Sequence, residues 1–268
     1  MKMIQRLLAA AAGALALATP AALAAEAGHH PADYDFSFEG PFGTFDRAQL
    51  QRGFLVYQQV CSACHSMNQL HIRNLGEEGG PFYSEEYPNP NDNPVVRAIA
   101  ADYIVEDGPD EYGDMFERPG RPADRFPNPY ANPQMAAAAN GGAMPPDFSV
   151  IVKARHGGAE YIRSLMLGYD YEVPEDVRIG PGQYYNPYMS GGVIAMPPQL
   201  QDGLVEYADG TEATKEQMAT DIAAFLAWAA EPHMEVRKKM GLMVMIYLLV
   251  LAGLLYAAYR QVWSNVKH

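Results

Sequence analysis

The chain has 268 residues, of which 49% are apolar, 11% aromatic and 19% charged, with a formal charge of −13. That balance excludes a disordered polyelectrolyte and allows one or two globular domains. All 32 acids fall between positions 25 and 236, beside 12 basic residues, so this body carries −20 and makes a poor partner for nucleic acid, which demands clustered cations. A basic protein is the better match.

From the N-terminus, Lys2 and Arg6 precede an apolar core at 7–17, and Ala22, Leu23 and Ala24 supply a small-residue cleavage pattern. Residues 1–24 therefore read as a removable export signal and 25–236 as an exported domain. Leu50, Phe54, Tyr57 and Cys61 recur at spacings of four, three and four, the period of an amphipathic helix running into Cys61. Ten prolines between 81 and 133 exclude long helices and central strands there, apart from a short helix expected over 95–105. Another helix is expected over 148–167, broken at Gly157-Gly158. The stretch 179–213, rich in Gly, Pro and Tyr, reads as irregular, and irregular segments of such length usually carry function or wrap something.

Thr214 followed by Gln217 is a capping-box signature, and Met218, Ile222, Phe225 and Ala229 then keep helical spacing as far as Pro232. The last apolar run, 240–259, has 20 residues without a charge, long enough as a helix to span about 30 Å of hydrocarbon. Arg237, Lys238 and Lys239 bound it on one side and Arg260 and Lys267 on the other, with Tyr256, Tyr259 and Trp263 suited to the interface. A transmembrane anchor over 237–260 is expected, with 25–236 outside and a cytoplasmic tail at 261–268. No acid, lysine, arginine or histidine lies within 240–259, so that stretch reads as an anchor rather than an ion path.

The chemical centre is Cys61-Ser62-Ala63-Cys64-His65, the attachment pattern of c-type haem. Two thiols on one turn can each add to a vinyl group of one porphyrin, and the next residue sets an imidazole beneath the iron. Cys61 and Cys64 are the chain's two cysteines, so haem attachment leaves none for a disulfide. A dithiol redox pair would not require His65, and a structural zinc would need two further ligands where only His71 is near.

The sixth position separates an electron carrier from a ligand-binding or catalytic haem. Met67 is too close to His65 to reach the opposite face, while Met166 and Met218 read as core filler on apolar helix faces. Met144 and Met196 stand out because each precedes two prolines that stiffen the backbone, lowering the entropy lost on coordination. Met196, late in the chain, is the preferred ligand; Met144, His156 or an open site remain the other readings.

The runs Gly142-Ala143-Met144-Pro145-Pro146-Asp147, Lys153-Ala154-Arg155-His156-Gly157-Gly158, Tyr185-Asn186-Pro187-Tyr188 and Met196-Pro197-Pro198 accompany the haem motif. With Asp209-Gly210-Thr211-Glu212-Ala213-Thr214 and Trp228-Ala229-Ala230-Glu231-Pro232, this ordered set resembles the cytochrome c1 family over nearly the whole mature chain. The resemblance implies a mainly α c-type cytochrome domain with long irregular insertions and one C-terminal transmembrane helix. It also implies one covalently attached haem c within the ubiquinol:cytochrome c oxidoreductase, the bc1 complex. The partners it implies are cytochrome b, the Rieske iron–sulfur protein as electron donor and a soluble cytochrome c as acceptor. It carries His65 and Met196 over as iron ligands, Arg155 to a haem propionate and Tyr161 to the haem edge. Some bacterial relatives carry an extra cysteine pair before the axial methionine; this sequence has none, so packing and proline stiffness must hold that loop. The other classes open to these residues are a different anchored monohaem cytochrome, a haem enzyme or gas sensor, and a dithiol or zinc module.

Overall fold

A computed structural model describes residues 29–265. The expected export signal at 1–24 lies outside them. The described chain is mainly helical with little strand, as expected.

Helix α1, Arg47–Val56, starts on Asp46, whose carboxylate accepts from the amides of Ala48 and Gln49 at 2.9 and 3.2 Å. The predicted helix into Cys61 does continue, but its last turn, Tyr57–Cys61, widens to a π-helix. Helix α2, Pro94–Ala101, is shorter than expected. Beyond Asp102 the chain instead forms a two-stranded antiparallel hairpin of β1, Ile104–Asp107, and β2, Phe116–Pro119, pinned by Arg118, which pairs with both Asp107 and Asp124. Val105 is paired in register with Arg118 there, and the β-branched pair Ile104 and Val105 suits a strand better than a fraying helix end.

Helix α3, Pro133–Ala139, was not anticipated, although Asn132 capping the amide of Met135 at 2.8 Å and a proline in the first turn are ordinary start signals. Helix α4, Gly158–Leu167, occupies only the second half of the expected 148–167 helix, and the first half is a series of turns. A two-residue hairpin of β3, Tyr184–Tyr185, and β4, Val193–Ile194, is the only strand pairing inside 179–213.

Helix α5, Lys215–Ala230, is the hub. Thr214 caps the Gln217 amide at 3.1 Å, but the Gln217 side chain turns to Asp221 instead of closing a reciprocal box. Every residue from Met218 to Ala229 is buried, not one stripe, because alanines let neighbours approach from several sides. The closest crossing is at Gly53 of α1, where a Cβ would stand 2.1 Å from the Asp221 carbonyl oxygen. Nearby, Arg52 donates to the fully buried Asp221 and to Asp209 at 3.0 and 2.7 Å, so the buried carboxylate is paired rather than bare. Phe54, Tyr57, Phe126, Phe225 and Trp228 fill the space beside it with edge-on and tilted ring contacts.

Helix α6, Met234–Val262, is the one helix among the described residues long and apolar enough to cross a membrane. Its first turns are bolted to the globular body. Lys238 Nζ donates to the carbonyls of Phe38 and Gly43 at 2.7 and 3.0 Å, Glu235 accepts from the Phe45 amide at 2.8 Å, and Arg237 pairs with Glu231.

Candidate haem site

The π-turn that ends α1 lets the Ser62 amide reach the Tyr57 carbonyl at 2.8 Å, and Cys64 and His65 then donate to the Cys61 carbonyl at 3.1 and 2.9 Å. Such one-turn widenings gather at functional sites. Cys61 and Cys64 are free and half-buried, one turn apart. Withdrawal from water pushes the Cys61 thiol up to about 12, so it is a neutral sulfhydryl. The Tyr130 hydroxyl sits 3.7 Å from Cys64 Sγ and accepts from Asn140 at 3.1 Å.

His65 is buried, and its Nδ1 lies 2.8 Å from the Pro146 carbonyl oxygen. A carbonyl only accepts, so Nδ1 carries the proton and Nε2 presents its lone pair. Burial lowers the imidazole pKa, a tendency opposed by the Pro146 hydrogen bond and the charge of Asp147, and the ring is held neutral. One face of it stacks on Phe148, with centroids 3.9 Å apart.

The loop that carries Pro146 is clamped to the segment after His65. Asp147 accepts from Ser66 Oγ at 2.8 Å and from the amides of Asn68 and Ser149 at 2.9 Å each. The Phe148 amide donates to the Ser66 carbonyl at 2.8 Å and the Gln69 amide to Ser149 Oγ at 3.0 Å. Burial would raise the Asp147 pKa, but the donors from Ser149, Asn68 and Ser66 outweigh it and hold the carboxyl below its ordinary value. Pro146, Asp147 and Phe148 were not singled out individually in the sequence; the signal available was an Asp with a Ser two residues on, a local side chain-to-backbone turn.

Met196 follows β4, is half-buried, and its carbonyl accepts from the Tyr169 hydroxyl at 3.0 Å. Met144 is 59% exposed, His156 is exposed, and Met67 and Met218 are fully buried in the core. Tyr161 donates to Met189 Sδ at 3.8 Å, and the exposed Arg155 guanidinium reaches the Ala154 carbonyl at 3.0 Å. Among the described residues no hydrogen bond joins Met196 or Arg155 to the Cys61–His65 turn. No group of three or more His, Cys, Asp or Glu that could hold a metal ion gathers among the described residues.

Paired thiols followed directly by a neutral imidazole of fixed tautomer are the groups that covalent attachment of a haem calls on. Fold and turn together define a c-type cytochrome domain. The model of the Cytochrome C1 family matches residues 36–266, and the chain belongs to that family. It is 44% identical to cytochrome c1 of Rhodospirillum rubrum over 99% of this chain and 98% of that protein. It is 46% identical to the mitochondrial cytochrome c1 heme protein of Saccharomyces cerevisiae, over 94% of this chain and 78% of that one. Cytochrome b/c1 of Bradyrhizobium diazoefficiens is 46% identical over 95% of this chain, which spans 39% of that longer protein.

Proposed function

We propose that the protein is a membrane-anchored monohaem cytochrome that passes single electrons from the Rieske iron–sulfur protein to a soluble cytochrome c. It does so within the bc1 complex of a respiratory or photosynthetic chain. The observation that carries this reading is the His65 Nδ1 contact to Pro146, which prepares Nε2 as a ligand directly after two free thiols. Membership of the cytochrome c1 family supports it.

Haem c, covalently attached, would be held by Cys61, Cys64, His65 and Met196, with Arg155 at a propionate and Tyr161 at the edge. When bound, the group supplies a ferric/ferrous couple. The chain's own residues fix the imidazole and stiffen the methionine loop, and no substrate bond is made or broken on this subunit. It is therefore not an enzyme by itself. Quinol chemistry belongs to cytochrome b and the Rieske protein. The domain 25–236 would stand on the periplasmic face of a bacterial inner membrane, tethered by a single-pass anchor over 237–260.

A haem stain after denaturing electrophoresis is expected to label the wild-type chain and to lose the label when Cys61 and Cys64 are both changed to alanine. A wild-type band that takes no stain would remove the cofactor and with it the function. The −20 body gives a second expectation: electron transfer to a lysine-rich acceptor should slow as salt rises, since screening shortens the steering field to about 8 Å at physiological ionic strength. Rates indifferent to salt would show that charge does not guide docking.

A further inference from the structure

The loop before Met196 has no disulfide to hold it, because both cysteines of the chain sit at 61 and 64. Its hairpin, β3 with β4, contributes only two residue pairs. Several contacts join this loop to the body, from His29, Tyr161 and Tyr171 and, through Asn186, from the end of α4. Asn186, wholly buried, donates from Nδ2 to the Leu165 carbonyl at 2.8 Å and from its amide to the Gly192 carbonyl at 3.0 Å, and its Oδ1 accepts from the Tyr188 amide at 3.1 Å. Gly168 permits this approach, since a Cβ there would stand 2.5 Å from Asn186 Oδ1.

Asn186 secures the base of the loop, ten residues before Met196. At Met196 itself one side-chain tie is made, the Tyr169 hydroxyl donating to the Met196 carbonyl at 3.0 Å. Pro197 and Pro198 follow directly and have no amide hydrogens to offer a neighbouring carbonyl. Tyr169 is in turn fixed by its place in the short helix Gly168–Asp170, whose Asp170 pairs with Lys215 at the start of α5. Burial holds the Tyr169 phenol far above its ordinary pKa, so it remains a donor.

Resting on the reading of Met196 as axial donor, we propose that Tyr169 is the positioning residue for it: its hydroxyl fixes the Met196 carbonyl and so sets where the thioether stands. The linkage takes the place of a cross-link in this loop. It acts through backbone position and makes no contact with the iron.

The test is made on the full-length holoprotein. Tyr169→Phe keeps the ring and removes the donor. The ferrous protein is expected to show about a tenfold larger fraction binding carbon monoxide than wild type, the factor expected for one lost hydrogen bond of ordinary strength. The methionine-to-iron band of the ferric form should vanish on heating before global unfolding. Tyr171→Phe, which loses the hydroxyl contact to Tyr188 at 3.1 Å and reaches nothing at Met196, should match wild type. A p-aminophenylalanine at 169 restores a donor at the same point and should also match wild type. Wild-type behaviour in Tyr169→Phe, an equal effect from Tyr171→Phe, or raised gas binding with p-aminophenylalanine would each overturn the proposal. Met196→Leu separates the two levels: if it keeps the band, the ligand assignment itself has failed, whereas if it loses the band while Tyr169→Phe is unaffected, only the positioning role has.

Discussion

Replacing Met196 with leucine is expected to abolish the methionine-to-iron absorption band of the ferric protein and to open the sixth position to carbon monoxide in the ferrous form. The two side chains have similar volumes, and such exchanges usually cost less than about 1.5 kcal/mol, so the chain should fold and keep its haem. What leucine removes is the sulfur lone pair. A thioether opposite an imidazole raises the reduction potential, so the variant's potential should fall and the reduced state should lose electrons more readily. Uptake of an electron from the donor should slow accordingly. The half-buried setting of Met196, against the exposure of Met144 and His156, favours Met196 over the other two candidates. An unchanged band in Met196→Leu, with its loss in Met144→Leu, would reassign the ligand.

The site was legible in the sequence where covalent chemistry fixes spacing. Cys61, Cys64 and His65 must be adjacent in the chain to serve one porphyrin, so their pattern survives without tertiary knowledge. The partners of His65 were not legible, because Pro146 is 81 residues away and contributes a backbone carbonyl, which any residue possesses. The same holds for Tyr169, whose target is the carbonyl of Met196 rather than its side chain. In the fold, α1 and α5 were visible through their apolar period, and α5 also through its cap at Thr214, whereas the Asp46 cap of α1 emerges only from the structure. The residues 102–105 misled because a helix and a strand of so few residues look alike; pairing with β2 decided it. The 148–156 turns misled for another reason. The side-chain oxygens of Asp147 and Ser149 bind the amides of Asn68 and Gln69 in the segment after His65, long-range ties that apolar spacing does not register.

Those ties make Asp147 the side chain whose loss should most loosen the imidazole. Asp147→Ala leaves Ser66 Oγ and the amides of Asn68 and Ser149 without their acceptor. Hydrogen bonds to a charged group contribute about 1.5–3 kcal/mol each, and water can replace part of that at this half-buried position, so a net loss of about 3 kcal/mol is expected. The wild-type pH dependence has a definite sign. The folded-state pKa of Asp147 lies below its unfolded value, so its contribution is present in full above about pH 4 and is lost as pH falls through the depressed folded value. Denaturant midpoints should therefore separate wild type from Asp147→Ala most at neutral pH, and the gap should narrow in acid. Asp147→Asn, which retains one acceptor oxygen but no charge, should fall between them and lose the acid-sensitive part. The site supplies a second readout, because Pro146 is adjacent to Asp147 and its carbonyl sets the tautomer and the ring plane of His65. The nitrogen resonances of that imidazole in the apo chain should then show Nδ1 protonated in wild type and a mixture of tautomers in Asp147→Ala. A stability gap that persists unchanged into acid, or a single unaltered tautomer in the variant, would mean that the clamp around Asp147 does not hold the imidazole.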